Sequence, residues 1–415
     1  MTLIFVHDAL ERILAPFQPL PSVLVPLRDS VGRVLAEDIR ATTDLPFFDN
    51  SSMDGFALLT SDAIQAGEAT PITLQVVDDI PAGKMPTKEI HSGQAARIMT
   101  GAPLPPGADA VVPVEETDFN DRAPGTPLPE SVKIFKAPRL GANIRKRGND
   151  IRNGAGILFA GQRLRAQDLG MLAMLGNAQV PVYRKPRIAL LSSGDELTPI
   201  GTPLTDGKIY DVNSYTLGAM LESAGCEIIS LGVAADTPKS VKAALDKAKD
   251  TDLILSSAGV SMGSFDFIKA VIEEEGILNF WRINMRPGKP LTFGNYKDIP
   301  FIGLAGNPVS AFIGFMVFVR PVIEKMLGRS GHSSENRQTR DRVRVKLLEP
   351  IQSDGRESYL RAFIDRKDNQ LYAQLTGHQG SGNLFSMVQA NALLIIPVGV
   401  KSLKKGAQVD AWFLD

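Results

Sequence analysis

The sequence predicts a multidomain α/β and β protein: a central three-layer α/β/α domain with a mostly parallel sheet, a β-rich insert near the N-terminus, and a small C-terminal β domain. Three observations predict it. From Lys185 to Gly328 strand-like runs alternate with helix-patterned segments, the signature of right-handed βαβ units. From Asp44 to Arg139 proline and glycine recur every few residues between short β-prone runs such as ITLQVVDDI and DAVVPVEET. Near the C-terminus VRVKLL, YLRAFI, LYAQL and ALLIIPV read as strands. At 415 residues the chain exceeds one ordinary core.

In chain order, residues 5–16 carry Ala9, Leu10, Ile13 and Leu14 at helical spacing, and Ser30 to Ala36 suits a second, short helix. Asp118 to Glu130 is expected to be an exposed hairpin loop. Helical patterning returns at Ala166 to Leu175 and closes at Gly176-Asn177. The β-rich block is therefore expected to interrupt a partly helical domain. This gives domains at 1–45 with 141–181, at 46–140, at 182–329 and at 335–415. In the third, RIALLSS and DLILSS read as strands and EIISLGVAAD as another. Asn213 to Ala224 is a helix ended by Gly225, and FDFIKAVIEEE is a helix closed by Gly276. Thr237-Pro238 and Asn307-Pro308 are N-cap-plus-proline signatures, the second opening the apolar helix Val309 to Leu327. Ser330 to Arg340 reads as a polar linker.

Charge is nearly balanced, 45 basic against 46 acidic residues, which argues against a general nucleic-acid binder. Cys226 is the single cysteine, so an intramolecular disulfide and a cysteine-rich metal site are excluded. His7, His91, His332 and His378 are scattered, so any metal should be a hard cation held by oxygens. No basic segment precedes the first apolar run, and the longest apolar stretch, Val309 to Val319, is too short to span a bilayer. The expectation is a soluble cytoplasmic protein.

Between Asp252 and Ala311 the chain climbs three times from an apolar run into a loop of glycine, hydroxyls and charge. These are LILSSAGVSMGSFDF, INMRPGKPLTFG and FIGLAGNPVSAF. Loops at the carboxyl ends of parallel strands converge in the crevice where open α/β sheets bind ligands. In the first, Ser257, Gly259, Ser261 and Gly263 let backbone N–H groups approach an anion; the same loop also suits a tight strand-to-helix turn. It matches neither a Walker A loop nor the dinucleotide fingerprint. Ser193-Gly194 and Glu196 in SSGDEL form a second loop of that type, and hydroxyls beside acids suit phosphate with Mg²⁺. Arg286 and Lys289, bracketed by Pro287 and Pro290, make an anion clamp on a stiff loop. DNSSMDG, RIMTGA and the basic GANIRKRGND are polar turns that fit either a site or plain Asx-type turns.

Taken together, SSMDGFA, RIMTGAPLPPGADAVVPVE, IRKRGNDI, SSGDEL, SSAGVSMGSFDFIK, MRPGKPLTFG and GLAGNPVSA resemble the molybdopterin molybdenumtransferases, the MoeA family related to the gephyrin E domain. The resemblance runs in order from about residue 5 to 410. It implies a four-part protomer whose central domain is like the molybdopterin-binding adenylyltransferases. It also implies a homodimer with sites shared between protomers, and possible contacts with a molybdopterin adenylyltransferase and other proteins of the cofactor pathway. Neither nucleic acid nor membrane is an expected partner.

The implied reaction is insertion of molybdate into adenylylated molybdopterin with loss of AMP, supported by Mg²⁺. Carried over by position, Asp54, Asp150, Glu196, Asp236 and Asp266 are the implicated acids, with Glu196, Asp236 and Asp266 expected on the metal. Thr100 falls in the TGAP motif. Arg286, Arg361 and Ser381 fall on the oxyanion positions, and Arg282, Asn307 and Pro308 on the ligand-binding set. Ala258 stands where a second glycine is usual, Met262 replaces a small aliphatic residue, and Arg282 stands where lysine is frequent. Two other readings stay open: a molybdopterin adenylyltransferase, and a non-catalytic scaffold like the gephyrin relatives.

Overall fold

The computed structural model describes residues 3–119, 125–257, 267–329 and 342–414. It divides into two compact units, residues 1–37, 160–169 and 178–415, and residues 38–159 and 170–177.

The first unit contains a helix α1 (Val6–Leu14), then β1 (Arg187–Ser193), α2 (Asn213–Ser223), β2 (Glu227–Ala234), α3 (Pro238–Leu245) and β3 (Leu253–Ser257). It continues with α4 (Phe267–Glu275), β4 (Gly276–Arg282), β5 (Pro290–Tyr296), β6 (Ile299–Leu304) and α5 (Pro308–Gly314). The strands form one sheet in the order β2-β1-β3-β6-β5-β4. β2, β1, β3 and β6 are parallel, and β5 runs antiparallel to both neighbours. β4 therefore points the same way as the parallel strands.

Strand alternation divides the core between two faces. Ile188, Leu190, Leu253 and Leu255 pack with α1, α2 and α5, whereas Ala189, Leu191 and Ile254 pack with α3 and α4. Each fully buried Leu or Ile is worth about 1.5–3 kcal/mol, so these two layers carry the domain. Thr237 caps α3 by accepting from the Ser240 N–H at 3.2 Å, with Pro238 at the first helical position.

Two local expectations fail. Ser30 to Ala36 is not helical: its backbone pairs instead with residues 162–164, through Gly32 N–H to Leu164 O and Leu35 N–H to Gln162 O. The helix α4 ends at Glu275, as expected, and Gly276 then opens β4, where a Cβ would lie 1.9 Å from the Asn295 carbonyl of the paired strand. Asn307 precedes α5 but its side chain makes no cap hydrogen bond. The apolar helix continues beyond α5 through a π-helical turn, Phe315–Val319, into Arg320–Met326. The expected linker and the tip of the expected hairpin loop, residues 330–341 and 120–124, lie outside the described residues. Among the described residues no helix is long and apolar enough to cross a membrane.

C-terminal to these elements, β7 (Val343–Leu347), β8 (Glu357–Lys367), β9 (Gln370–Leu375), β10 (Ala392–Ile396) and β11 (Gln408–Phe413) follow. They pair in the order β8-β9-β7-β11-β10, and β10 pairs back onto β8, closing a small barrel around Val345, Leu360, Ala362 and Leu394. The two-residue strand Met285–Arg286 joins it, parallel to the start of β8, with Arg286 opposite Ser358.

The second unit is built on a five-stranded sheet in the order 110–113, 55–58, 94–98, 72–80 and 131–134. Phe56 and Leu58 face one core and Ala57 the other, as alternation requires. Asp78 is buried there and accepts from the N–H groups of Asp79, Thr87 and Lys88 and from the Thr87 hydroxyl.

Candidate functional site

A cavity of about 760 Å³ opens at the carboxyl edge of the central sheet. The ends of β1, β3 and β6, the loop after β4 and the barrel segment 379–381 line it. Because β4 points with the parallel strands, the Arg286–Lys289 loop emerges at this same edge. Of the residues singled out from the sequence, Ser193, Gly194, Glu196, Asp236 and Ser257 line one side. Arg286, Lys289, Asn307, Pro308 and Ser381 line the other.

The acidic side is built by β1, β2 and the start of α2. Asp195 and Asp236 exchange backbone-to-carboxylate contacts: Asp236 N–H donates to Asp195 Oδ1 at 3.1 Å, and Asp195 N–H to Asp236 Oδ2 at 3.4 Å. Burial raises the Asp236 carboxyl above its ordinary range, and the charges of Asp195 and Glu196 push the same way against the Asp195 N–H. Behind them the Asp211 carboxylate accepts from Ser214 N–H and Oγ and so fixes the first turn of α2. Asn213 Nδ2 then donates to Ser257 Oγ and to Gly306 O, both at 2.7 Å, tying together the loops after β3 and β6. Its Oδ1 and the Ser193 Oγ are buried without a hydrogen-bond partner among the described residues.

The basic side comes from the β4 loop and the barrel. Ile283 N–H donates to Lys289 O and closes the loop, and Gly288 sits at φ +99° where a Cβ would meet Met285 Cε at 2.7 Å. Arg356, on the turn before β8, donates from Nη1 to Met285 O and from Nε to Asp354. Arg361 is fully buried on β8, donating to Ser386 Oγ at 3.0 Å and Gly380 O at 2.9 Å, while its Nη1 has no partner among the described residues. Burial lowers its pKa to about 10, with the Arg286 charge adding to the effect. Ser381 O accepts from Val309 N–H, so the barrel segment is held against the start of α5.

The remaining positions are distributed differently. Neither Arg282 nor Arg361 lines the cavity: Arg361 lies behind Gly380, and the Arg282 guanidinium stacks 3.6 Å from the Trp281 ring centroid, with Lys269 over the same ring at 4.6 Å. Gly259, Ser261, Gly263 and Asp266 lie outside the described residues. Asp54, Thr100 and Asp150 belong to the second unit. There Asp54 Oδ1 accepts from both the N–H and the hydroxyl of Thr100 at 2.8 Å, and Asp150 pairs with Arg145 at 2.6 Å.

Sequence reading missed Asp211, Asn213, Arg356 and Gln379. The Asp-x-Asn-Ser run before α2 carried a visible helix-start signal. Arg356 in SDGRES looked like an ordinary exposed turn, since its contact with Met285 spans 71 residues. Gln379 turns its amide onto the Arg361 backbone, accepting from N–H at 2.8 Å and donating to O at 3.1 Å, which no local pattern announces.

Comparison with known proteins matches residues 4–176 to the MoeA N-terminal region (domain I and II), 189–325 to a probable molybdopterin binding domain, and 344–414 to the MoeA C-terminal region (domain IV). A molybdopterin molybdenumtransferase of Haemophilus influenzae is 36% identical over 92% of this chain and 91% of that protein. The chain belongs to the molybdopterin molybdenumtransferase (MoeA) family. The family member of Nostoc sp. is 35% identical over 95% of this chain and 94% of its own length. That of Bacillus subtilis is 34% identical over 98% and 93%. Among solved structures, the molybdopterin biosynthesis moeA protein of Pyrococcus horikoshii OT3 superposes with a TM-score of 0.79 at 31% identity, covering 99% of each chain. The expected architecture, an α/β molybdopterin-binding-type domain with a β-rich N-terminal region and a small C-terminal barrel, holds for this member of the family.

Mg²⁺, which the family resemblance implies, can be tested against the donors present. Among the described residues no three carboxylate, histidine or cysteine side chains converge as a ready metal site. Yet Glu196 and Asp236 offer hard oxygen ligands on the cavity, and a bound cation would offset both the burial and the like charges that raise Asp236. The donor chemistry fits the ion.

Proposed function

We propose that this protein inserts molybdate into adenylylated molybdopterin, with release of AMP, in molybdenum cofactor biosynthesis. One observation carries the reading: a fully buried Arg361, whose Nη1 lacks a partner among the described residues, backs Gly380 in a cavity wall that presents Arg286, Lys289 and Ser381. A buried, incompletely paired guanidinium costs free energy unless an anion completes it. Guanidinium, ammonium and hydroxyl donors suit a hard tetrahedral oxyanion such as molybdate. The buried Cys226 offers no soft ligand, so the sulfurs that end on molybdenum are the pterin's own.

In this reading Arg286, Arg361 and Ser381 hold molybdate, and Lys289 supports its charge. Ser193, Gly194, Ser257, Gly259, Ser261, Gly263, Asn307 and Pro308 hold the pterin and its phosphates, with Arg282 at their margin. Glu196, Asp236 and Asp266 would hold Mg²⁺, which when bound neutralises charge on a phosphoanhydride. The two thiols of the pterin then form two bonds to molybdenum, and one molybdate oxygen takes up their two protons and leaves as water. A homodimer, a part for Asp54, Thr100 and Asp150 in the reaction, contacts with pathway proteins, a cytoplasmic location and the four domain boundaries drawn from the sequence belong to the same proposal.

The test supplies purified protein with adenylylated molybdopterin plus molybdate, or with molybdopterin plus ATP. AMP release should occur with the first pair and not the second. Asp266→Asn should strongly reduce Mg²⁺-dependent AMP release with an unchanged thermal melt. Undiminished turnover in that variant would remove Asp266 from the mechanism, and turnover of molybdopterin with ATP would favour an adenylyltransferase.

A further inference from the structure

Beside the basic side of the cavity lies a carboxylate that the proposed chemistry does not use. Asp354 lies in the turn Ser353–Arg356, immediately before β8. Its Oδ2 accepts from Arg356 Nε at 3.0 Å, and Arg286 Nη1 lies 3.8 Å from the same oxygen. Its Oδ1 accepts from Arg356 N–H at 3.1 Å. Two guanidiniums that both line the cavity therefore converge on one carboxylate oxygen, as they would on an oxygen of an incoming anion. The Arg356 guanidinium, with Arg286 adding to it, holds the Asp354 carboxyl below the usual carboxylate range.

Two features separate this from a routine surface ion pair. Arg356 has a second anchor, because Nη1 donates to Met285 O, so it does not need Asp354 to stay at the cavity. The Arg286 backbone is held by its own strand pairing, opposite Ser358. Asp354 takes Nε, Nη2 and the backbone N–H of Arg356, on a turn whose next residue, Gly355, has φ +87°. Both cations therefore keep an anchor at the cavity that does not depend on the anion.

We infer that Asp354 is a built-in competitor for the oxyanion seat, covering Arg286 and Arg356 when the seat is empty and yielding when molybdate enters. The inference rests on the assignment of molybdate to Arg286. Its effect is to set how tightly any tetrahedral dianion is held, so that bound molybdate remains exchangeable.

Titration calorimetry of the full-length protein with sodium molybdate, and separately with sulfate, tests it. Asp354→Asn removes the charge without changing shape and should tighten both anions about ten-fold, since a charge pair near 4 Å at the protein surface is of that order. Asp354→Glu keeps the charge and should stay near the wild-type affinity. Arg286→Ala should lose most molybdate binding. Weaker or unchanged binding in Asp354→Asn would mean that the carboxylate only positions Arg356, overturning the inference while the seat stands. Tightening in Asp354→Glu as well would show that charge is not the cause, and would overturn the inference in the same way. Unaltered binding in Arg286→Ala would overturn the molybdate assignment and this inference with it.

Discussion

Replacing Asn213 by aspartate is a small change in shape that should do more harm than truncation to alanine. Asn213 is 7% exposed, and its Nδ2 donates to Ser257 Oγ and Gly306 O at 2.7 Å. Asn213→Ala removes two hydrogen bonds worth about 1 kcal/mol each, a loss of about 2 kcal/mol. Asn213→Asp turns the donor into a carboxylate oxygen. The Ser257 hydroxyl can reverse and donate to it, and the start of α2 favours negative charge by about 0.3–1 kcal/mol. The Gly306 carbonyl cannot reverse, and an uncompensated buried charge costs about 3–5 kcal/mol. The balance is a loss of about 3–4 kcal/mol at neutral pH. Burial raises the new carboxyl's folded pKa above its unfolded value of about 3.9, so the penalty is absent below that value and grows as pH rises. Urea melts followed by tryptophan fluorescence measure this cleanly, because both tryptophans, Trp281 and Trp412, lie in the first unit. An Asn213→Asp variant more stable than Asn213→Ala at pH 7 would refute the reasoning.

Other outcomes follow from the same geometry. Gly288→Ala should cost about 1–3 kcal/mol in strain at φ +99° and weaken molybdate binding by displacing the Arg286–Lys289 loop, read by calorimetry and the tryptophan melt. Asp78→Ala should destabilise the second unit by about 2–3 kcal/mol, because four donors lose their acceptor. Burial opposes the Asp78 charge, but the Thr87, Asp79 and Lys88 donors outweigh it and lower its pKa. Its contribution is therefore present above about pH 4 and lost as pH falls further, and the wild-type-to-mutant gap in circular-dichroism melts should close at acid pH. Cys226 is 7% exposed and burial lifts its thiol to about 12, with Asp252 adding to the rise. An aromatic disulfide reagent at pH 7 should leave the native thiol unmodified for hours and react at once in denaturant.

The sequence made the α/β core legible because burial on both faces gives continuous apolar runs, and β1 and β3 are such runs. The Thr237-Pro238 start was legible because a cap is a local device. The Ser30–Ala36 segment was not, since Gly32 and its neighbours take their hydrogen-bond partners from residues about 130 positions away. The cavity divides along the same line. Arg286 and Lys289 stood out through their flanking prolines, while Arg356, Asp354 and Gln379 gain meaning only when barrel and sheet meet. Asn307-Pro308 shows how one signal can serve two ends: the pair sits where a helix starts, yet the asparagine side chain is left for the cavity.

The two-residue ladder between Met285–Arg286 and the start of β8 does more than join barrel to sheet. Adjacent strand residues point to opposite faces, so its register decides which of two chemically opposite side chains looks into the cavity. As paired, Met285 is fully buried and Arg286 reaches the cavity. A slip of one position would exchange them, offering a soft thioether where a hard cation stands. Whether this cavity greets its ligand as an oxyanion or as a soft metal thus hangs on the pairing of a single short segment.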